Sequence, residues 1–142
     1  MGRVEAIWIK SGHREPMEPV PGATLSTEEG IEGDANRGAR QVTIVDRSAW
    51  ERATADLGVA VDPVARRANL LVSGIDLVEC TGQVVRLGPC RVEIHGETKP
   101  CGRMDEASAG LRQALEPEWR AGAYGVVLTG GEIRVGDSVR WE

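Results

Sequence analysis

Val84-Val85-Arg86-Leu87-Gly88-Pro89-Cys90-Arg91-Val92-Glu93-Ile94-His95 decides the fold class of this chain. Two runs of strand length, rich in β-branched residues, are separated by two turn-forming residues. So short a link leaves no room for a crossover, so the strands must run antiparallel. The same pattern extends in both directions. Residues 4–9, 40–45, 124–128, 132–135 and 138–141 are further short runs bounded by Gly, Pro or Asp, and Gly130-Gly131 carries a type I′ signature that predicts a second hairpin.

Helical patterning is sparse. Ser48 with Glu51 forms a capping-box pattern, Trp50, Ala53 and Leu57 share one face, and Gly58 is placed to end a helix over 47–57. A second helix is expected over 105–115, with Leu111 and Leu115 one turn apart, Gly110 weakening it and Pro117 ending it. Asp62-Pro63 reads as an N-cap followed by a first-turn proline, opening a short turn through Arg66. Many short strands with a few helices at the connections predict a mainly β fold: a closed or curled, largely antiparallel β-barrel. The 142 residues show no repeat or linker and read as a single domain, 1–142, large enough to bury roughly two-thirds of its unfolded surface.

A formal net charge of -5 argues against nucleic acid as a partner, because coating phosphates needs a basic surface. Met1-Gly2-Arg3-Val4-Glu5 puts an acid where a signal peptide has its basic region, and no apolar stretch approaches ~18 residues. The expectation is a cytoplasmic protein with no membrane partner. Three cysteines at 80, 90 and 101 form no CxxC pair, and with only His13 and His95 a structural zinc site would need an unusual ligand set.

Local chemistry centres on Glu97-Thr98-Lys99-Pro100-Cys101-Gly102-Arg103. Pro100 and Gly102 make this a loop, and Lys99 and Arg103 set positive charge beside the thiol, the setting in which cysteines react and bind soft metals as thiolates. Cys80 and Cys90, in strand-like contexts, read as small buried hydrophobes. His95 lies close in sequence, but nothing marks an oxyanion hole or an orienting third residue for a Cys-His hydrolase.

Three other segments accompany this loop. Gly30-Ile31-Glu32-Gly33-Asp34-Ala35-Asn36-Arg37-Gly38 opens into Arg40-Gln41-Val42-Thr43; its glycines permit tight turns whose amides can face an anion, and Asp34 can brace the loop. Ala65-Arg66-Arg67-Ala68-Asn69-Leu70 joins two guanidinium forks, suited to phosphate, to an amide suited to a heterocycle edge. The last segment is Arg120-Ala121-Gly122-Ala123-Tyr124-Gly125, with Gly130-Gly131-Glu132-Ile133-Arg134-Val135-Gly136-Asp137 behind it. Arg37, Arg40, Arg66, Arg67, Lys99, Arg103 and Arg120 all stand in turn-like contexts, which suits a small anionic ligand better than a polymer.

In this order, these motifs resemble the MOSC family, found at the C-terminus of molybdenum cofactor sulfurases and as small free-standing bacterial proteins. The resemblance rests on the G-x-x-GD loop entering RQVT, the R-x-N before a strand, the PC dipeptide, the R-x-G-x-Y segment and the closing GG-x-I-x-x-GD. It implies a β-barrel and two uses of Cys101: a sulfur carrier charged as a persulfide by a cysteine desulfurase-type donor, or the thiolate ligand of molybdenum in a pterin cofactor. It also implies that Arg67, Asn69 and Arg120 contact the pterin or its phosphate, with Asp34 and Arg40 shaping the pocket beside Lys99 and Arg103. Two departures stand out: Asn36 replaces a histidine common in relatives, and Ala121 replaces a second glycine.

The family is also associated with pyridoxal phosphate. A Schiff base needs a lysine, and this chain has only Lys10, at a strand end, and Lys99, so that cofactor is assigned to a partner desulfurase. A second function is open: a molybdenum-dependent reductase of N-hydroxylated compounds. Without a ferredoxin-type cysteine set or a G-x-G-x-x-G loop, it would draw electrons from a separate reductase. A third is a non-catalytic binding module with a structural cysteine.

Overall fold

In a computed structural model, which describes residues 2–36 and 38–142, the chain forms eleven strands and three short α-helices among the described residues. They are β1 (Gly2–Ile9), β2 (Glu18–Val20), β3 (Gly22–Ser26), β4 (Gly30–Ile31), β5 (Val42–Asp46), α1 (Arg47–Leu57), β6 (Leu70–Ser73), β7 (Val84–Leu87), β8 (Cys90–Glu97), α2 (Arg103–Ala107), α3 (Leu111–Leu115), β9 (Ala123–Thr129), β10 (Gly131–Arg134) and β11 (Ser138–Trp141). Single 3-10 turns cover Gly38–Arg40, Pro63–Arg66 and Pro117–Trp119.

Seven strands close on themselves in the order β11-β7-β8-β9-β5-β6-β1, with β1 pairing back to β11 through Gly2↔Val139 and Arg3↔Ser138. Closure removes the exposed edges that an open sheet of this size would leave. All pairs in the ring are antiparallel except β5–β6, which run parallel because α1 and the 63–66 turn lie between them. The hairpin expected from Gly88-Pro89 is present, with Leu87 opposite Cys90.

The second expected hairpin is corrected. Gly130-Gly131 does not fold β10 back onto β9; β10 pairs with β3 in a separate sheet of order β10-β3-β4. Both partners of β9 are already taken by β5 and β8, so its continuation must leave the barrel. The glycines serve a close approach instead: a Cβ on Gly130 would sit 2.5 Å from the Leu25 carbonyl oxygen.

Side-chain alternation sorts the apolar residues into two cores. Val42, Ile44, Leu70, Val72, Val92 and Ile94 point into the barrel, while Val45 and Leu71, one residue out of phase, point outward beneath the helices. On β1, Val4 and Ile7 both face inward despite their odd spacing, because a bulge between Val4 and Ala6 adds one residue against β6. The outer core joins Trp8, Val45, Trp50, Leu71, Met104, Leu111 and Leu115.

Helix α1 occupies 47–57 as expected and ends at Gly58 in the left-handed conformation. Its cap is Asp46, not Ser48: Asp46 is extended, and its carboxylate accepts from the Ser48 and Ala49 amides. The helix expected over 105–115 is two helices, α2 and α3, broken at Ser108–Gly110, where Gly110 has φ 88°. Asp62 caps the turn at 63–66 through the Val64 amide, as its sequence predicts.

Candidate functional site

A pocket of about 170 Å³ opens beside Cys101, the one exposed cysteine among the three. Each wall comes from a chain segment entering or leaving the barrel. Lys10 follows β1; Arg40 ends the turn before β5; Arg66 and Arg67 close the turn before β6; Thr98 follows β8; Cys101 and Arg103 lead into α2. Sites in barrels gather residues from several strand ends in this way, which is why the wall is continuous in space and scattered in sequence.

Charge sets this pocket apart. Lys10, Arg40, Arg66, Arg67 and Arg103 put five cations on its lining, and no Asp or Glu among the described residues joins them. Elsewhere Arg3, Arg47, Arg86, Arg91, Lys99, Arg120 and Arg134 are ion-paired, while Arg14, Arg52, Arg112 and Arg140 have no ion pair among the described residues and are not gathered in one pocket with the thiol. None of the five pocket cations makes an ion pair among the described residues. Burial lowers the Lys10 pKa first; Asp34 opposes that, and Arg67, Arg103 and Arg66 push it down further. The Arg66 pKa is lowered by burial, with a Cys101 thiolate working against that and Arg40 with it. Arginine stays protonated regardless, so the cost is carried as unbalanced positive charge that an anion relieves.

Several contacts hold the cations in place. The Arg66 Nε donates to the Ala121 carbonyl at 2.6 Å, an oxygen that also accepts from Thr98 Oγ1 at 3.0 Å, so the Nη groups of Arg66 remain available. The Arg67 Nη2 donates to the His13 and Glu15 carbonyls at 3.1 and 2.6 Å, fastening the β1–β2 loop over the rim. Its backbone is left-handed, with φ 60°, a conformation few non-glycine residues adopt. The Arg40 guanidinium lies 5.0 Å from the centre of the Tyr124 ring, a cation–π contact that positions it without neutralising it.

Of the residues singled out in the sequence, the structure brings Cys101, Arg40, Arg67 and Arg103 to one pocket. Asp34 and Asn69 are buried one layer behind the wall. The Asn69 Nδ2 donates to Asp34 Oδ1 at 3.0 Å and to the Trp8 carbonyl, while its Oδ1 accepts from the Thr43 amide and hydroxyl. Asp34 also accepts from the Lys10 and Asn36 amides. These two side chains brace the loops that carry Lys10 and Asn36 into the pocket.

Lys99 and Arg120 lie outside the pocket. The Lys99 side chain is 83% exposed and faces Glu97. Arg120 is buried by the helices, with Nη1 donating to Asp56 Oδ2 at 2.7 Å and to the Ala114 carbonyl at 3.1 Å. The neighbouring Gly122, at φ 108°, is packed so closely on the barrel that a Cβ would run into the Ile44 carbonyl oxygen, which fixes the segment in the outer layer. Arg37 lies outside the described residues. His95 pairs with Glu93 on the exposed face of β8 and does not line the pocket.

Lys10 and His13 line the pocket without any sequence signal assigning them to it, and Arg66, one of the two guanidinium groups read as suited to phosphate, lines it beside Arg67. Cys80 and Cys90 are buried, and burial pushes each thiol up to about 11. That leaves Cys101 as the accessible sulfur.

Comparison with known proteins agrees with this architecture. The MOSC domain model matches residues 21–140, and the chain belongs to that family, which is associated with molybdenum cofactor binding and sulfurase-like function. The YuaD protein of Bacillus subtilis superposes with a TM-score of 0.80 at 21% identity, covering 98% of this chain and 94% of that one. YiiM of Geobacillus stearothermophilus gives 0.78 at 15% identity over 100% and 75%, and YiiM of Escherichia coli 0.71 at 18% over 99% and 69%. Identities this low establish a shared fold. The comparison with curated protein sequences gave no match.

Proposed function

We propose that this protein carries sulfur on Cys101, binds a molybdenum-pterin cofactor through it, or does both in sequence. The observation that carries the reading is one accessible thiol opening onto a pocket with five cations that, among the described residues, have no ion pair and no lining carboxylate beside them. The donor set fits the cofactor. No cluster of three His, Cys, Asp or Glu among the described residues could hold a metal, so Cys101 would be the single protein ligand, and Arg40, Arg66, Arg67 and Arg103 would hold an anionic group. When bound, such a group supplies a soft, redox-active metal.

The residues of the chain do the rest. Cys101 presents a thiolate to a soft partner, and the arginines offset the negative charge that accumulates when an anion joins it. Thr98 and the Ala121 carbonyl keep Arg66 oriented, and the Asp34–Asn69 pair keeps the loop ends from drifting. A sulfur donor of the desulfurase type, with its own pyridoxal phosphate, would act as partner.

Sulfane sulfur and molybdenum measured on freshly purified protein test this reading. It expects close to one equivalent of one or the other in the native chain and none in Cys101→Ser. Retention of sulfur or metal by a folded Cys101→Ser protein would sink it.

A further inference from the structure

We infer that Cys101 takes its sulfur from a tetrahedral sulfur oxyanion with a terminal sulfane atom, the thiosulfate class, with Arg66 and Arg103 recognising the oxyanion. This rests on the carrier reading and names its substrate. Three observations support it. The pocket, about 170 Å³, is of a size for a small anion held close to the thiol. Its five cations exceed what one thiolate needs. Among the described residues Arg66 also spends only its Nε on the protein, leaving the Nη donors for oxygens.

The chemistry explains why so much uncompensated positive charge belongs beside a nucleophilic sulfur. A thiolate and a dianion repel each other in water, so the attack needs cations that offset both charges at once. The Cys101 Sγ attacks the terminal sulfur of thiosulfate; the Sγ–S bond forms and the S–S bond to the central sulfur breaks. The bonding pair leaves with the central sulfur as sulfite, and the terminal sulfur stays as a Cys101 persulfide. Sγ is oxidised and the central sulfur reduced by the same amount, the thiolate enters without its proton, and total charge is conserved, so no further reactant is needed. Charge building on the departing sulfite falls within reach of the guanidinium donors that bound the oxyanion.

The full chain is incubated with thiosulfate, and released sulfite is measured beside the mass of the Cys101 peptide. A parallel arm uses inorganic polysulfide as a donor that carries no oxyanion, and a third measures alkylation by neutral iodoacetamide. The expected result is one sulfur on Cys101 with one sulfite released. Arg66→Gln and Arg103→Gln should each slow thiosulfate loading by about tenfold or more, and by a clearly larger factor than they slow alkylation, which reads the thiolate alone. Arg103 is exposed, so its variant keeps the test valid if Arg66→Gln misfolds. Loading by polysulfide but not by thiosulfate overturns this inference and leaves the carrier reading standing. Loading by neither overturns both, and equal thiosulfate rates in native and variant proteins overturn the role of the arginines.

Discussion

Arg86 and Arg91 at the β7–β8–β11 corner carry the same group as Arg66 and Arg103 at the pocket, in opposite surroundings. At the corner, Glu142 accepts from Arg91 Nε and Nη2, both at 2.6 Å, and from Arg86 Nε at 3.1 Å. Those hydrogen bonds, Arg91's first, bring the Glu142 carboxyl down to about 2. At the pocket, no acid among the described residues answers the guanidinium groups. One region has its charge balanced within the fold; the other leaves it to be balanced from outside. In a chain of net charge -5, acids were plentiful, and their absence from this one lining marks the site.

The largest effect expected is at the sulfur. Cys101→Ser should remove all bound sulfur or metal while shifting stability by less than ~1 kcal/mol, the range of an exposed substitution. Thermal melting beside sulfur and molybdenum content checks both halves; a variant that melts far lower yet keeps its load would make Cys101 a packing residue.

Next comes ligand linkage. Millimolar inorganic phosphate should stabilise the native protein, because it binds the folded pocket and not the unfolded chain, by ~1.4 kcal/mol at a tenfold excess over Kd, and so raise its melting temperature. Arg66→Gln should lose most of that rise and Glu142→Gln should keep it. Equal responses would erase the distinction between the two regions.

Without ligand the order reverses. Removing an unbalanced cation by Arg103→Gln should leave the melting temperature unchanged or slightly higher at low salt, whereas Arg91→Gln should lower it and lose that effect at high salt. Glu142 also predicts an acid limb. A carboxyl whose folded pKa is depressed contributes stability above its unfolded value, here 4.5, and loses it as pH falls towards about 2. Glu142→Gln should flatten that window in acid-unfolding curves.

The smallest effect concerns the buried thiols. Cys80 and Cys90 titrate near 11 in the fold against 9.0 unfolded, so their contribution is complete below pH 9 and is lost as pH rises through 11. Melting curves of native protein and Cys80→Ala should converge across that interval.

Much of the barrel was legible because its strands announce themselves locally. The runs at β7, β8 and β9 are β-branched and bounded by turn residues, and burial follows their alternation. Strands β2 to β4 gave no such signal: Glu18-Pro19-Val20 and Gly30-Ile31 are short and rich in Pro or Gly, and only their partners make them strands. The fate of Gly130-Gly131 was hidden for the same reason, since the partner of β10 is more than a hundred residues upstream in β3. At the site, Cys101 and Arg103 could be read from their immediate neighbours. Lys10 could not, because its meaning depends on where β1 ends relative to the turn at 63–66. Asn69 looks like a ligand contact in sequence because a buried brace and a binding residue use the same polar groups, and its burial sets it behind the wall; Asp34, read as a brace of its loop, accepts from the Lys10 and Asn36 amides.

The pairing of Gly2 and Arg3 with Val139 and Ser138 has a consequence for biosynthesis. A ribosome delivers β1 well before β11, so the ring stays an unsealed sheet until β11 has emerged, with the backbones of β1 and β7 each lacking a neighbour on that side. Loop-closure entropy makes this the costliest contact to form and places it late in folding. A nascent or nicked chain without β11 would therefore offer two adhesive rims to other chains, and its hazard would be aggregation before any loss of chemistry.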